Sequence, residues 1–254
     1  MKNKASILWW WLFSAALALF PVPAHSLQGW FEDGVVFLQQ QEYQQAVEAF
    51  TQAIRINPKM AEAYSNRGIA WKGLGDIEKA ITDFTRAITL APRLAEAYCN
   101  RAGMWYMLGK WDKAVADCEK VLSMMPDHPY AGNQLAWIRA TCPDSRFRDG
   151  AKALKLAGHV ADLYPEPQYM DTLAAAQAEA GNYSEAAGTQ EKLITRIQEH
   201  FPEDRLAPYR ERLELYRAHT PYRTPETELQ KAAAQEPPVV KPAKKPAGKP
   251  AKKK

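Results

Sequence analysis

The stretch AEAYSNRGIAWKGLGDIEKAITDFTRAITLAP, residues 61–92, decides the fold because it recurs. Thirty-four residues later the chain reads AEAYCNRAGMWYMLGKWDKAVADCEKVLSMMP, residues 95–126, with its alanines, aromatic residues and final proline in step. Residues 27–58 keep the same step with fewer identical letters. A period of this length indicates one small unit that repeats, because such a unit has too little core alone and must stack on its neighbours.

Each column of the repeat has a packing role. Proline closes every unit, at Pro58, Pro92 and Pro126, where it ends a helix because it cannot continue the hydrogen-bond ladder. Small residues let a second helix approach closely, and large aromatic residues fill the space beside them. The small residues are Gly34, Gly68 and Ala102, and the aromatic ones are Trp30, Tyr64, Tyr98, Phe37, Trp71 and Trp105. The columns therefore predict a pair of helices in each unit.

These columns resemble the tetratricopeptide repeat (TPR), which has an aromatic residue, Leu-Gly, a second aromatic residue, then Ala, Phe and a terminal Pro. The resemblance implies an all-α fold, a right-handed helical solenoid of about five helix-turn-helix repeats with a C-terminal capping helix and a disordered tail. Arg67 and Arg101 stand where the pattern has leucine, so we expect their charged heads to reach the edge of the stack. The predicted segments are 1–26, a signal peptide; 27–60, 61–94 and 95–128, three repeats; 129–166, a fourth repeat with an enlarged loop; 167–202, a fifth; 203–223, the capping helix; and 224–254, the tail.

The fourth repeat contains an insertion. The step from Pro126 to Pro165 is 39 residues, and the extra residues, PDSRF, lie within TCPDSRFRDG, residues 141–150. This stretch, together with YMDTLAAAQAEAGNYSEAAGTQEKLI and RLELYRAHTPYR, resembles a C-terminal block of bacterial TPR proteins that covers residues 133–223. The resemblance implies a module, and it names neither a chemistry nor a partner.

TCPDSRFRDG allows two interpretations. In the catalytic one, Cys142 is a nucleophile and Asp144 and Asp149 supply acid-base chemistry, which would make the protein an enzyme or an accessory subunit of an envelope enzyme. In the structural one, Pro143 ends a helix, Asp149 caps the next helix and Phe147 fills the gap beneath the longer turn. We favour the structural interpretation because it explains more of the residues.

The remaining sequence carries no catalytic or metal-binding motif, such as HExxH, a P-loop, GxSxG or CxxC. The five histidines lack ligand spacing, so we expect no metal, no cofactor and no enzymatic activity. The cysteines are Cys99, Cys118 and Cys142. Three cysteines leave at least one thiol free, while one disulfide stays possible in an oxidising compartment.

The N-terminus predicts export. Two lysines precede an apolar run from Ile7 to Phe20, which is followed by prolines and small residues. A run this short is more typical of a cleaved signal peptide than of a membrane span, which needs about 20 residues. We therefore expect a periplasmic or secreted protein. The alternative is a membrane-tethered assembly factor that retains this segment.

The charge is divided unevenly along the chain. The formal charge is +4, but nine lysines in the two termini account for it, so the body has 24 basic against 29 acidic side chains. Seven of these lysines lie in residues 237–254 of the Lys/Pro/Ala-rich tail, at Lys241, Lys244, Lys245, Lys249, Lys252, Lys253 and Lys254. Such a tail attracts anionic surfaces in a salt-sensitive way. After export we expect an anionic envelope surface or no ligand rather than nucleic acid.

The resemblance also implies a binding groove, since TPR stacks usually bind partner proteins along the first helix of each pair. The groove positions are apolar or aromatic with few charges, and they predict a peptide or helix of another envelope protein as ligand. They are Phe31, Val35, Leu38, Ser65, Asn66, Ile69, Lys72, Cys99, Asn100, Tyr106, Met107, Tyr130, Asn133 and Trp137. Asn66 and Asn100 are candidates to hydrogen-bond a peptide backbone. Alternatively, these side chains pack within the molecule itself.

Overall fold

A computed structural model describes residues 26–227, and this part of the chain is all-α, as predicted. The predicted signal peptide and the seven tail lysines lie outside the described residues. The described chain contains eleven α-helices, one 3-10 turn and no strand. The helices are α1 Leu27–Gln39, α2 Tyr43–Ile56, α3 Ala61–Gly73, α4 Ile77–Leu90, α5 Ala95–Met107, α6 Trp111–Met124, α7 Pro129–Thr141, α8 Gly150–Leu163, α9 Pro167–Glu179, α10 Tyr183–Ile197 and α11 Glu203–Arg217.

The described residues form two compact units. Unit 1 comprises residues 26–104 and 116–131, and unit 2 comprises residues 105–115 and 132–227. Within unit 1, consecutive helices in the series α1 to α4 pack on one another. Within unit 2, helices α8 to α11 do the same. None of the helices between residues 26 and 227 is both long and apolar enough to cross a lipid bilayer.

The small-residue column of unit 1 is explained by its phenylalanine neighbours. A Cβ atom on Gly34 would lie 2.6 Å from the ring of Phe50, and one on Gly68 would lie 2.7 Å from the ring of Phe84. Both rings are fully buried. In the third repeat the phenylalanine is replaced by Cys118 and the glycine by Ala102, which are also fully buried. The smaller thiol leaves room for the added methyl group, so the two columns change together.

The turn inside a helix pair requires a left-handed backbone. Gly75 adopts a φ of 79°, which costs glycine little because it has no Cβ atom. The equivalent residue of the first repeat is Gln41, with a φ of 61°. The first repeat therefore carries backbone strain at a position where the second does not.

The two regular arginines do not behave as the sequence suggested. Arg67 donates two hydrogen bonds to the carboxylate of Asp83, at 2.7 and 2.8 Å, and a third to Thr51 at 3.0 Å. Arg101 binds Asp117 in the same bidentate manner, at 2.9 and 2.7 Å. The expectation that these heads reach the edge of the stack is wrong. Each is held between helices because a buried carboxylate one helix away fixes its fork geometry.

Candidate functional site

Nine of the predicted groove positions of unit 1 fall into three groups. Ser65 and Cys99 are each 4% exposed, so both belong to the packed interior rather than to an open groove. Phe31, Val35 and Leu38 are half-buried and pack against the apolar cluster around Phe50. Four further positions, namely Asn66, Ile69, Asn100 and the exposed Lys72, retain accessible surface. We call Val35, Leu38, Asn66, Ile69, Lys72 and Asn100 the unit 1 face.

Asn66 and Asn100 differ from the polar residues around them. Both side chains are half-buried, and neither makes a hydrogen bond with any group in residues 26–227. The arginines that follow them, Arg67 and Arg101, are held by carboxylates. An asparagine amide offers two donors and two acceptor sites. The unit 1 face therefore presents two uncommitted amides at equivalent positions of consecutive repeats.

Three predicted groove positions of unit 2, Tyr106, Met107 and Trp137, are contacted by residues 222–227 of the same chain. The indole Nε1 of Trp137 donates to the Tyr106 hydroxyl at 3.0 Å, and that hydroxyl donates to Thr224 Oγ1 at 3.1 Å. The hydroxyls of Thr141 and Thr224 are 2.9 Å apart, and the Thr224 backbone N–H donates to the Thr141 carbonyl at 2.9 Å. Burial raises the pKa of Tyr106 above its usual value, while its hydrogen bonds to Thr224 and Trp137 oppose that shift.

We call residues 221–227 the strap, and Tyr106, Trp137, Thr141 and Glu179 the unit 2 face. The ring of Tyr222 lies 6.0 Å from that of Trp137. Arg223 Nη1 lies 2.6 Å from Glu179 Oε2 and forms an ion pair with it. The angles between the two groups do not meet the geometry of a hydrogen bond. Arg223 also donates to the Ala140 carbonyl at 3.3 Å. Three consecutive strap residues thus each contact the unit 2 face.

A buried arginine, Arg212, contacts both the strap and the unit 2 face. Arg212 of α11 binds the Asp171 carboxylate at 2.9 and 2.8 Å, and its side chain is 9% exposed. Its guanidinium lies over three aromatic rings, at 4.9 Å from Tyr209, 5.3 Å from Tyr222 and 5.8 Å from Trp137. Stacking and charge pairing together hold α11 and Tyr222 in place.

The contacts of the strap differ from the prediction that the disordered tail begins at Thr224. The composition of residues 224–254 suggested a disordered segment from Thr224 onward. Thr224 is instead hydrogen-bonded through its backbone and its hydroxyl, and Thr227 donates to the Met107 carbonyl at 3.4 Å. Sequence reasoning missed these contacts because the partner residues lie far away along the chain. One available signal was the aromatic and basic pair Tyr222-Arg223 between two prolines, Pro221 and Pro225.

The remaining groove positions lie in different surroundings. Tyr130, in unit 1, is 49% exposed. Asn133, in unit 2, has a buried Oδ1 atom without a hydrogen-bond partner in the described chain. Met107 is half-buried and contributes its carbonyl to Thr227. The structure therefore joins Tyr106, Met107 and Trp137 into one site with the strap.

The loop TCPDSRFRDG has the structural roles that its residues predicted. Helix α7 ends at Thr141, and a 3-10 turn follows at Ser145–Phe147. The Asp149 side chain accepts a hydrogen bond from the Lys152 N–H and so caps α8. Phe147 packs on a buried cluster that includes Trp111, Ile138 and Cys142.

The titratable groups of this loop are unsuited to catalysis. Cys142 is fully buried, and burial raises the pKa of its thiol to about 11. The hydrogen bond from the Arg146 side chain lowers the pKa of Asp144, and that from the Lys152 side chain lowers the pKa of Asp149. A nucleophilic thiol needs a lowered pKa, and a general acid needs a raised one. The shifts have the opposite sign in each case.

The other two cysteines, Cys99 and Cys118, are buried in unit 1. Burial raises the pKa of Cys99 to about 12 and raises the pKa of Cys118 as well. The structure records no disulfide among the three cysteines. Residues 26–227 also contain no cluster of three or more His, Cys, Asp or Glu side chains arranged to hold a metal ion.

Unit 2 also contains an apolar cavity away from the strap. Its volume is about 460 Å³, and residues of α9, α10 and α11 line it. Lining residues include Pro167, Leu193, Ile197, Phe201 and Tyr209. Phe201 is 39% exposed at its rim.

Comparison with protein families identifies the repeats. A TPR repeat model matches residues 34–75, and a tetratricopeptide repeat model matches residues 61–94 and 95–128. No curated protein sequence is significantly similar to the chain.

Several solved structures share the fold. A tetratricopeptide repeat protein from Parabacteroides merdae superposes with a TM-score of 0.62 at 18% identity, over 77% of this chain and 75% of that one. MamA from Desulfovibrio magneticus RS-1 gives 0.59 at 19% identity, over 70% of this chain and 100% of its own. A thermophilic TPR protein of Thermus thermophilus gives 0.56 at 18% identity, over 76% of this chain and 100% of its own. At these identities the likeness establishes the fold alone.

TPR units are generally protein-interaction modules, and their fold is typically a non-catalytic scaffold. The periodic columns, the helix pairs and these matches agree. Residues 34–128 are therefore tetratricopeptide repeats, and the described chain has the all-α fold of TPR solenoid proteins.

Proposed function

We propose that the protein is a non-enzymatic scaffold of the bacterial cell envelope whose unit 1 face binds a peptide or helix of a partner protein. The observation that carries the proposal is the pair of uncommitted amides, Asn66 and Asn100. Each can accept and donate hydrogen bonds to one backbone unit of a ligand. Their repetition one TPR apart suits a ligand whose polar groups also recur.

The surroundings of these amides support an apolar ligand. Ile69 lies one turn after Asn66 on α3, and Val35 and Leu38 lie on α1, which packs against α3. These three side chains are half-buried, so a ligand placed on them would remove their remaining surface from water. Lys72, at the end of α3, is exposed and adds one positive charge. Apolar area would supply affinity, and the amides would set the register.

Site-specific photocrosslinking in cells tests this proposal. A photoreactive residue placed at Lys72 should trap the partner, whereas the same residue at Glu78, an exposed position on α4, should not. The crosslink should disappear in the Asn66→Ala/Asn100→Ala variant. Its thermal unfolding should be unchanged, because neither side chain bonds within the described protein. Equal crosslinking at both positions, or a crosslink that survives the double substitution, contradicts the proposal.

The envelope location rests on the two chain termini. The apolar run of residues 7–20 supports export, and the seven tail lysines support contact with an anionic surface of the envelope. The mass of the exported protein should lack the first 24 to 26 residues, and an intact N-terminus would instead favour the membrane-tethered alternative. Replacing the seven lysines by glutamine should abolish co-sedimentation with anionic vesicles at low salt. Unchanged sedimentation would remove the tail from this role.

A further inference from the structure

The strap contacts unit 2 in the way that a bound peptide contacts its receptor. The Tyr222 ring lies near Trp137 and under the guanidinium of Arg212, Arg223 pairs with Glu179, and Thr224 bonds with Thr141 and Tyr106. Each of three consecutive residues therefore has its own subsite. The chain here is neither helix nor strand. Pro225 disfavours helical geometry at Thr224, and Pro221 does the same at Thr220, so this segment is extended in advance of binding.

The strap is fixed separately from the helix that precedes it. The backbone N–H groups of Ala218, His219 and Thr220 bond to carbonyls of α11, at 3.0, 3.0 and 2.8 Å. The ring of His219 stacks on Tyr183 at 5.1 Å. Beyond these residues, the only backbone-to-backbone hydrogen bond within the described part of the strap joins Thr224 to Thr141. Release of the strap therefore leaves the end of α11 capped.

Several contacts of the unit 2 face do not involve the strap and would keep the face formed if the strap left. Glu179 is also paired with Arg148, whose Nε lies 3.2 Å from Glu179 Oε1, so its buried charge keeps a partner. Trp137 keeps its hydrogen bond to Tyr106 and its contact with Arg212. A preformed site needs little reordering when one occupant replaces another, which favours exchange.

We propose that the unit 2 face is a second peptide-binding site, that the strap is its resident ligand, and that the site accepts from a partner protein an extended segment reading aromatic residue, arginine, hydroxyl residue. The aromatic ring occupies the place of Tyr222 between Trp137 and Arg212. The arginine pairs with Glu179, and the hydroxyl residue bonds with Thr141 and Tyr106. The strap shields this site until such a segment competes successfully. This proposal is independent of the unit 1 face.

The site can be tested with the strap's own sequence as the probe. A fluorescent peptide of residues 219–227, HTPYRTPET, is added to the full-length protein and its anisotropy is measured. The wild type should bind it weakly, because the tethered strap competes at a high effective concentration. The full-length Tyr222→Ala/Thr224→Val variant, whose own strap is weakened, should bind it about tenfold tighter or more. A peptide with the same two substitutions should bind neither protein.

Two controls keep the result interpretable. Asn66→Ala, on the unit 1 face, should leave probe binding at the wild-type level. If the double variant fails to fold by circular dichroism, Thr224→Val alone keeps a β-branched side chain, removes both hydroxyl hydrogen bonds and should still increase probe binding. A folded strap variant that binds the probe no better than the wild type overturns the proposal. So does equal binding of the substituted peptide.

Discussion

The unit 1 face and the unit 2 face both lie on the first helices of their TPR helix pairs, but the strap covers the unit 2 face. On the unit 1 face, Asn66 and Asn100 keep their amides uncommitted. On the unit 2 face, Trp137 and Tyr106 are joined to Thr224 of the strap. Repeat packing alone explains the first state, whereas the second requires residues that follow the last repeat. The difference shows that a TPR face is closed by appended sequence rather than by the repeat itself.

Both units contain an arginine–aspartate ion pair. The loss of unfolding free energy when the aspartate is removed should differ between the units, and this is the largest expected effect. Asp171→Ala leaves Arg212, which is 9% exposed, without a counter-charge, and should cost about 3–5 kcal/mol. Asp83→Ala leaves Arg67, which is 19% exposed and still bonded to Thr51, and should cost about 1–3 kcal/mol. Urea unfolding followed by far-ultraviolet circular dichroism measures both. An Asp83→Ala variant that is the less stable of the two contradicts the contrast between the units.

Close helix contacts provide a smaller effect. Gly68→Ala should destabilise unit 1 by about 1–3 kcal/mol, because its Cβ would lie 2.7 Å from the Phe84 ring. In a Phe84→Cys background, which reproduces the Ala102 and Cys118 combination of the third repeat, the same substitution should cost almost nothing. A double-mutant cycle on unfolding free energies measures this coupling. Additive free energies would mean that the two columns are not coupled.

Gly150 of unit 2 supplies the matched control for that cycle. A Cβ there would meet the backbone carbonyl of Glu179 at 2.7 Å. Because the neighbour is backbone, replacing the Glu179 side chain by alanine should not restore the stability lost in Gly150→Ala. Restoration would show that a side-chain contact, and not the approach of two helices, sets the cost.

The smallest expected effect concerns the reactivity of the three cysteine thiols. At pH 8 all three cysteines should resist alkylation in the folded protein, because burial raises the pKa of Cys142 to about 11 and of Cys99 to about 12. A thiol whose pKa is higher in the folded state favours folding below its unfolded pKa, near 9, and that contribution declines above it. Mass spectrometry of pulse-alkylated protein checks this resistance, and rapid labelling at pH 8 contradicts it.

The repeat columns predicted the helix pairs of unit 1 because the residues they describe meet within one or two helices. The loop roles of Asp149 and Phe147 were also readable, since capping and plugging depend on local order. The strap was not readable. Its contacts join residues 118 and 83 positions apart, Tyr106 and Thr141 with Thr224, and no period marks them. The arginine heads were misjudged for a related reason, because their partner carboxylates lie on another helix.

The hydrogen-exchange rate of one backbone amide tests most directly whether the strap covers the unit 2 face while the unit 1 face stays open. Thr224 N–H donates to the Thr141 carbonyl at 2.9 Å, in a segment that is neither helix nor strand. Hydrogen exchange followed by nuclear magnetic resonance should show this amide protected in the wild type. In Tyr222→Ala it should lose that protection, while Ala218, His219 and Thr220 keep theirs. If Thr224 in the wild type exchanges at the rate of an unstructured peptide, the unit 2 face is as open as the unit 1 face and the account is wrong.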